Sequence, residues 1–486
     1  MKPVAFRVGL LAAILSKFYD GKFVGVMVTA SHNPVEDNGV KLIDPNGEMV
    51  IGRWEELATE LANTSDANLV EVLSNICGEM KIIFGNEVKV AVGRDTRPSG
   101  IELCEAIEAG VKCVASSATF INLQLQTTPQ CHFSVLELNK KDGKSDGYFE
   151  HFSSQFERLL EGKQLKGQLV IDAANGIGAQ SAEAFRSRLA KSTDFNPSIV
   201  NTGKEADAVL NYQCGADFVK IQMAAPKGCE ARQNVRYASL DGDADRLIYF
   251  YFDSSNRFKM LDGDRISVLF AFYLRKLLKE AGLYESLKFG VVQTAYANGA
   301  STDFLKSQGI LVSMACTGVK NLHHVAAEDY DIGVYFEANG HGTVLFGPRA
   351  CEALETNPSA WKLKLVKELV NQCVGDAMSD LLFVEAILCE EEMSLEAWDA
   401  LYEELPSRQL KVKVSDRSVF KTTAADTKLT HPTALQGQID ELVGRVAKGR
   451  AFVRPSGTED VVRVYAEADT REQCDLLAQS IANLIK

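Results

Sequence analysis

Short β-branched runs recur along the chain, each followed by a loop rich in Gly, Asp or Asn and then by a segment with helical spacing. Residues 89–92 lead into Gly93-Arg94-Asp95-Thr96-Arg97-Pro98-Ser99-Gly100 and a helix-like stretch over 101–114. Residues 169–171 lead into Asp172-Ala173-Ala174-Asn175-Gly176-Ile177-Gly178 and a helix to about 189. Residues 289–292 lead into Gln293-Thr294-Ala295-Tyr296-Ala297-Asn298-Gly299 and a helix to about 307. Strands alternating with helices predict α/β domains with largely parallel pairing. Three copies in separate regions predict three domains of similar architecture. The C-terminal stretch differs. Residues 451–453 and 461–467 predict two strands around a loop, and 470–486 an amphipathic helix with Leu476, Ile481, Leu484 and Ile485 on its apolar face. That is a smaller α+β domain, linked near Leu405-Pro406-Ser407 or at Pro432. Residues 6–19 predict a first helix, not a secretion signal. The apolar run from Val8 to Leu15 is short and ends in Ser16-Lys17-Phe18-Tyr19, with no small-residue cleavage pattern. Nowhere is an apolar run long enough to span a bilayer.

A length of 486 residues suits three or four domains. Lys and Arg number 52 against 65 Asp and Glu, a net charge of −13. Such a surface repels nucleic acid, and a phosphorylated small molecule can bind only where cations gather locally. The cysteines are odd in number, eleven, and none has C-x-x-C spacing. They read as reduced thiols in a cytosolic protein.

Four stretches carry candidate chemistry. The first is an apolar strand over 23–28 running into Thr29-Ala30-Ser31-His32-Asn33-Pro34. It presents Ser31 where a strand of an α/β sheet stops, which is where such proteins place reactive groups. Taken alone it reads first as an ordinary turn capped by Ser31 and Asn33. Lys41, shortly after, is either a solvated strand lysine or a cation aimed back at the serine. The second is Ser239-Leu240-Asp241-Gly242-Asp243-Ala244-Asp245-Arg246 between strands at 237–240 and 247–252. Three carboxylates within five residues repel unless a cation neutralises them, and oxygen-only donors suit a hard ion such as magnesium. An EF-hand is excluded, because its sixth and twelfth positions counted from Asp241 hold Arg246 and Phe252. Arg246 is either a counter-ion to the carboxylates or a phosphate contact.

The third stretch is Tyr335-Phe336-Glu337-Ala338-Asn339-Gly340-His341-Gly342, between strands at 332–336 and 343–346. Glu337, Asn339 and His341 alternate along it and suit sugar hydroxyls, or form a plain polar hairpin tip. The fourth is Arg454-Pro455-Ser456-Gly457-Thr458-Glu459-Asp460, with Arg463 on the next strand. Guanidinium, hydroxyls and glycine-exposed N–H groups suit a phosphate. It is no Walker loop, lacking the Gly-Lys-Ser/Thr run.

The set and its order resemble the α-D-phosphohexomutase superfamily from about Phe6 to the C-terminus. Phe336 to Gly342, Arg454 to Asp460 and Gln293 to Gly299 resemble its phosphoacetylglucosamine mutase branch. The resemblance implies a four-domain architecture, three similar mixed α/β domains plus the smaller C-terminal α+β domain, divided at 1–150, 151–282, 283–404 and 405–486. It implies interconversion of N-acetylglucosamine 6-phosphate and 1-phosphate through a phosphoserine and a bisphosphorylated sugar, on the route to UDP-N-acetylglucosamine. Ser31 would carry the phosphoryl group. Asp241, Asp243 and Asp245 would hold Mg2+, with Ser31 as a further ligand. His32 and Lys41 would serve proton transfer or charge stabilisation near Ser31, with Arg246 counted beside them among the catalytic residues. Glu337, Asn339 and His341 would hold sugar hydroxyls, and Arg454, Ser456, Gly457, Thr458 and Arg463 the non-reacting phosphate. The implied partners are sugar phosphates and not nucleic acid or membrane, for a cytoplasmic monomer or weak dimer.

Members of this family usually begin with a strand and a Gly-Thr-Ala-Gly-Phe-Arg-like segment before the first helix. Here Phe6-Arg7-Val8-Gly9 runs directly into that helix. The expectation is a first domain of reduced stability with an exposed sheet edge, and weakened activity. The alternatives are a mutase for another hexose phosphate, or an inactive form that only binds sugar phosphates.

Overall fold

The first strand, Phe23–Val28 (β1), is buried along its whole length, as a strand covered on both faces must be. This computed structural model describes residues 1–50, 52–140, 147–423, 425–456 and 460–485. Val40–Ile43 (β2) pairs antiparallel with β1, and Lys89–Arg94 (β3) pairs parallel with its other side. Thr119–Leu125 (β4) completes the sheet in the order β2-β1-β3-β4. The helix Lys2–Phe18 packs on the helix Gly100–Val114. Their backbones approach so closely that a Cβ on Gly9 would stand 2.2 Å from the Ile107 carbonyl oxygen, and one on Gly110 2.1 Å from that of Phe6. Only glycine fits at either place.

The second sheet holds Gln168–Asp172 (β5), Ser198–Val200 (β6), Val235–Leu240 (β7), Leu247–Phe252 (β8) and Phe258–Leu261 (β9), in the order β6-β5-β7-β8-β9. Its first three strands run parallel, and β7, β8 and β9 form antiparallel hairpins. The helix Ala377–Glu390, distant in sequence, packs beside this sheet. Its Glu385 accepts from Arg236 Nη2 at 2.8 Å and from the Tyr249 hydroxyl at 3.0 Å. Residues 1–262 and 365–392 accordingly form one compact unit, and 263–364 with 393–486 form another.

In the second unit, Phe289–Thr294 (β10), Leu311–Ala315 (β11), Ile332–Phe336 (β12) and Gly342–Phe346 (β13) form a sheet ordered β11-β10-β12-β13. Ser407–Lys413 (β14) begins an antiparallel sheet. After the short pair Lys421–Thr422 (β15) and Leu429–His431 (β16) come Arg450–Pro455 (β17) and Val461–Glu467 (β18), and the order is β14-β18-β17. The Gln293 to Gly299 segment docks onto this smaller sheet. Arg450 donates to the carbonyls of Ala295 and Ala297, and the buried Glu467 carboxylate accepts from Gly299 N at 3.0 Å. A carboxylate there also suits the positive N-terminal end of the helix Gly299–Ser307.

The last helix, Arg471–Ile485, buries Cys474, Leu477, Ala478, Ile481 and Ala482. Leu476 is 67% exposed and Leu484 40% exposed, which corrects the expectation that they line the apolar face. The buried stripe runs at 474, 477/478 and 481/482, the spacing of one helix face, and position 476 falls off it. Pro432 opens the helix Thr433–Gly444 instead of serving as a linker. All eleven cysteines are free thiols. Among the described residues no helix is long and apolar enough to cross a membrane.

His323 supplies one stability test. Its Nδ1 meets the Tyr335 hydroxyl at 2.9 Å, and burial, then the neighbouring His324 charge, lower its pKa to about 4. An unfolded chain binds that proton near 6.5, so between the two values the unfolded state holds more protons. Stability is therefore full above about pH 6.5 and falls as pH drops toward 4. In urea unfolding followed at several pH values, His323→Phe is expected to remove roughly 1–2 kcal/mol of that acid loss. An identical acid loss in the variant would contradict this.

Candidate active site

β1 ends at Val28, and β2 returns beside it in antiparallel register, with Met27 opposite Lys41. The turn between them holds Ser31 in the left-handed region at φ 47°. A residue with a Cβ is held there at a cost of roughly 1–2 kcal/mol, so surrounding bonds must fix it. The fixing bonds are long-range. Arg97, fully buried, donates from Nη2 to the carbonyls of Ser31 and Asn33 at 3.2 and 2.8 Å, and from Nε to that of Asp37 at 2.8 Å. Asp95 holds the Arg97 guanidinium in place and accepts from Thr29 Oγ1 at 2.8 Å.

The β7–β8 hairpin brings the aspartate loop to this turn. The Ser31 hydroxyl donates to Asp243 Oδ2 at 2.9 Å across 212 residues of sequence. The same oxygen accepts from Thr128 Oγ1 at 2.6 Å and Lys41 Nζ at 3.1 Å. Lys41 Nζ lies 3.0 Å from both Ser31 Oγ and Asp245 Oδ2. The structure thus settles the choice left open for Lys41: it points at the serine. Asp172, at the end of β5, supports the loop from behind, accepting from Ser239 Oγ at 2.8 Å and Gly215 N at 2.7 Å.

Carboxylate oxygens of Asp241, Asp243 and Asp245 lie within 4.8 Å of one another, and all three residues are buried. Asp241 Oδ1 accepts from the backbone N–H groups of Asp245 and Arg246 at 3.0 and 3.1 Å. Its other oxygen, and Asp243 Oδ1, accept no hydrogen bond among the described residues. Burial, then the charges of Asp245 and Asp243, push the Asp241 carboxyl far above the usual carboxylate range. Burial and Asp245 act the same way on Asp243, but Lys41 and the hydroxyls of Thr128 and Ser31 more than offset them and hold it low. Burial opposes the Lys41 ammonium, yet Asp243 and Asp245 outweigh it and raise its pKa above the ordinary lysine value. An all-oxygen donor set with buried, unsatisfied lone pairs fits a hard divalent cation.

Arg246 is held sideways. Its Nη1 donates to both oxygens of Asp217, at 2.8 and 3.0 Å, while its Nε stays 3.8 Å from Asp241 and 3.9 Å from Asp245. Asp217 also lies 3.6 Å from His32 Nδ1. Burial and the Arg246 charge lower the His32 pKa, so the ring is neutral at pH 7.

In the second unit, Glu337 Oε1 accepts from Gly318 N at 2.9 Å, and Asn339 Nδ2 stands 3.4 Å from Glu337 Oε2. Asn339 Oδ1 also accepts from His341 N at 3.1 Å, and the His341 side chain is buried. Arg454 and Arg463 face one another directly across β17 and β18. Like charges so opposed are unfavourable unless an anion joins them. Arg454 reaches Thr317 Oγ1 and lies 3.6 Å from Asp426, while the buried Arg463 Nε has no hydrogen-bond partner among the described residues. Ser456 is buried beside them. Gly457 and Thr458 lie outside the described residues.

Sequence reasoning missed Asp95, Arg97, Thr128, Asp172, Asn211 and Asp217. Only Asp95, Arg97 and Asp172 stood in stretches it had marked, the polar loops after β3 and β5.

Family models match along the chain: "phosphoglucomutase/phosphomannomutase, alpha/beta/alpha domain I" at 10–68, and "phosphoacetylglucosamine mutase AMG1, domain II" and "domain III" at 143–248 and 262–393. The "phosphoglucomutase/phosphomannomutase, C-terminal domain" matches at 410–484. A phosphoacetylglucosamine mutase of Sus scrofa is 46% identical over 99% of this chain and 90% of its own. The crystal structure of Aspergillus fumigatus N-acetylphosphoglucosamine mutase with GlcNAc-6P and magnesium is 44% identical, with a TM-score of 0.94 over 99% of this chain and 92% of that one. A variant of the same Aspergillus enzyme in complex with glucose 1,6-bisphosphate has a TM-score of 0.91 at 43% identity, over 99% of this chain and 92% of that one.

Proposed function

Because this chain belongs to the phosphoacetylglucosamine mutase family of α-D-phosphohexomutases, we propose that it interconverts N-acetylglucosamine 6-phosphate and 1-phosphate through a phosphorylated Ser31. The observation that carries this reading is the Ser31 hydroxyl itself. It is bonded to Asp243, touched by Lys41, and set beside buried carboxylate oxygens that no donor among the described residues satisfies.

Asp241, Asp243 and Asp245 would hold Mg2+, which neutralises charge on the transferring phosphoryl group and the oxygen it leaves. Phosphorylated Ser31 gives its phosphoryl group to a free hydroxyl of the bound sugar monophosphate, the Ser31 Oγ–P bond breaking as the sugar O–P bond forms. The bisphosphate then returns its other phosphoryl group to Ser31, leaving the isomeric monophosphate. Lys41, held as an ammonium, stabilises the negative charge on Ser31 Oγ. His32, neutral at pH 7, is left to accept the proton of the attacking sugar hydroxyl. Arg246, oriented by Asp217, offers its remaining N–H groups to phosphate oxygens. Glu337 and Asn339 suit sugar hydroxyls. The opposed Arg454 and Arg463, with Ser456, suit the phosphate that does not react. The 1-phosphate product is the form a nucleotidyl transfer would take up toward UDP-N-acetylglucosamine.

Side-by-side assays of N-acetylglucosamine, glucose and mannose 6-phosphates, with a catalytic amount of sugar bisphosphate and Mg2+, test this. The N-acetylated substrate is expected to have kcat/KM at least about 10-fold above the others, a difference of about 1.4 kcal/mol in transition-state binding. Equal or higher values for glucose or mannose phosphates would reject the assignment.

A further inference from the structure

We propose that Asn211 is a positioning residue for Ser31, fixing where the serine hydroxyl stands without touching substrate. The proposal rests on Ser31 being the phosphoryl carrier. Asn211 lies in the long connection between β6 and β7. Its side-chain Nδ2 donates to the carbonyl of Ser31 at 2.9 Å and to that of Asn33 at 3.1 Å. These are the same two carbonyls that Arg97 binds. Each carbonyl therefore receives one donor from the β3 loop and one from the β6–β7 connection, which uses both of its lone pairs. The third wall is Gly242, where a Cβ would stand 2.6 Å from the Ser31 carbonyl oxygen.

The clamp has a mechanical purpose. Ser31 sits at positive φ, a conformation its own Cβ disfavours, so the turn relaxes unless its carbonyls are held. The hydroxyl must return to the same place in every half-cycle, since transfer in both directions needs the phosphorus in line. Arg97 anchors the turn to its own sheet, whereas Asn211 anchors it to the sheet that carries the aspartates. Asn211 is built for the task. Its N–H bonds the Ala174 carbonyl at 2.9 Å, and its own backbone is left-handed at φ 59°, which asparagine tolerates. The same connection carries Asp217, which orients Arg246.

Two variants separate the amide from the backbone. Asn211→Gly keeps the left-handed backbone and removes the amide. Asn211→Asp keeps the shape and turns a donor into an acceptor facing two carbonyls. Both are expected to melt close to the wild type and to keep KM for N-acetylglucosamine 6-phosphate within about two-fold. Both should lose roughly 10- to 100-fold in kcat, Asn211→Asp at least as much as Asn211→Gly. Inorganic phosphate released per turnover should rise, because a misplaced phosphoserine meets water more often than the sugar hydroxyl. Unchanged kcat, or a raised KM with kcat kept, would overturn the proposal, the latter by making Asn211 a substrate contact. So would a kcat loss that tracks melting temperature with phosphate release unchanged, which marks a structural role only. A wild-type chain that turns over without ever carrying phosphate on Ser31 would sink the serine's role first, and the proposal with it.

Discussion

Ser31→Ala is expected to lower turnover by at least about 10,000-fold while leaving the fold and sugar-phosphate binding intact. The hydroxyl is the only atom lost, and the turn around it is held through carbonyls by Arg97 and Asn211, not through Oγ. Removing it vacates one hydrogen bond to Asp243 Oδ2, which keeps Thr128 and Lys41 as donors. The Thr29 and Thr128 hydroxyls beside it are already bonded, Thr29 Oγ1 to Asp95 and Thr128 Oγ1 to Asp243. A coupled assay for the 1-phosphate and intact-mass analysis of the chain check this. The wild type should carry a phosphoryl group on a fraction of molecules and the variant none. A variant retaining a tenth of the activity or more would place the carrier elsewhere.

Asp243→Asn should produce the second largest loss, roughly 100- to 1,000-fold in kcat. Asp243 does two things at once. Its Oδ2 gathers the hydroxyls of Ser31 and Thr128 and the Lys41 ammonium, and its Oδ1 is one of the buried oxygens open to a cation. An amide keeps the shape but halves the acceptors and sets an NH2 group against donors or against the metal. The Mg2+ concentration for half-maximal activity is expected to rise by roughly 10- to 100-fold, and Mg2+ binding by calorimetry to weaken in parallel. Lys41 should also titrate lower, because Asp243 heads the attractions that raise it. Wild-type magnesium affinity in Asp243→Asn would remove Asp243 from the metal site.

The extent to which the molecule was readable from its sequence differs between elements for physical reasons. β1, β8, β12 and β18 appear over the residues predicted, because buried strands are marked by local apolar runs. The aspartate loop was also readable, since three adjacent carboxylates are costly without a cation whatever surrounds them. Ser31 was not readable alone, because a serine in such a stretch reads first as a turn. Its meaning came from the other three loops. Arg97, Thr128, Asn211 and Asp217 were invisible because their partners lie far away in sequence. Asn211 reaches back 180 residues to Ser31, and Thr128 forward 115 to Asp243. Leu476 and Leu484 misled because both are apolar and helical, and only the neighbouring strand decides which face is covered. The helix Ala377–Glu390 belongs with the first unit through Glu385 and its partners, a link no local composition encodes.

A single-turnover transfer reads out whether Ser31 carries the phosphoryl group to the sugar. The chain is loaded from a labelled sugar bisphosphate, freed of small molecules, and mixed with unlabelled N-acetylglucosamine 6-phosphate and Mg2+. The label should leave Ser31 at a rate no slower than kcat and appear on the sugar, with almost none as inorganic phosphate. Label that stays on the chain through many turnovers, or leaves it mainly as inorganic phosphate, would mean that Ser31 is not the carrier.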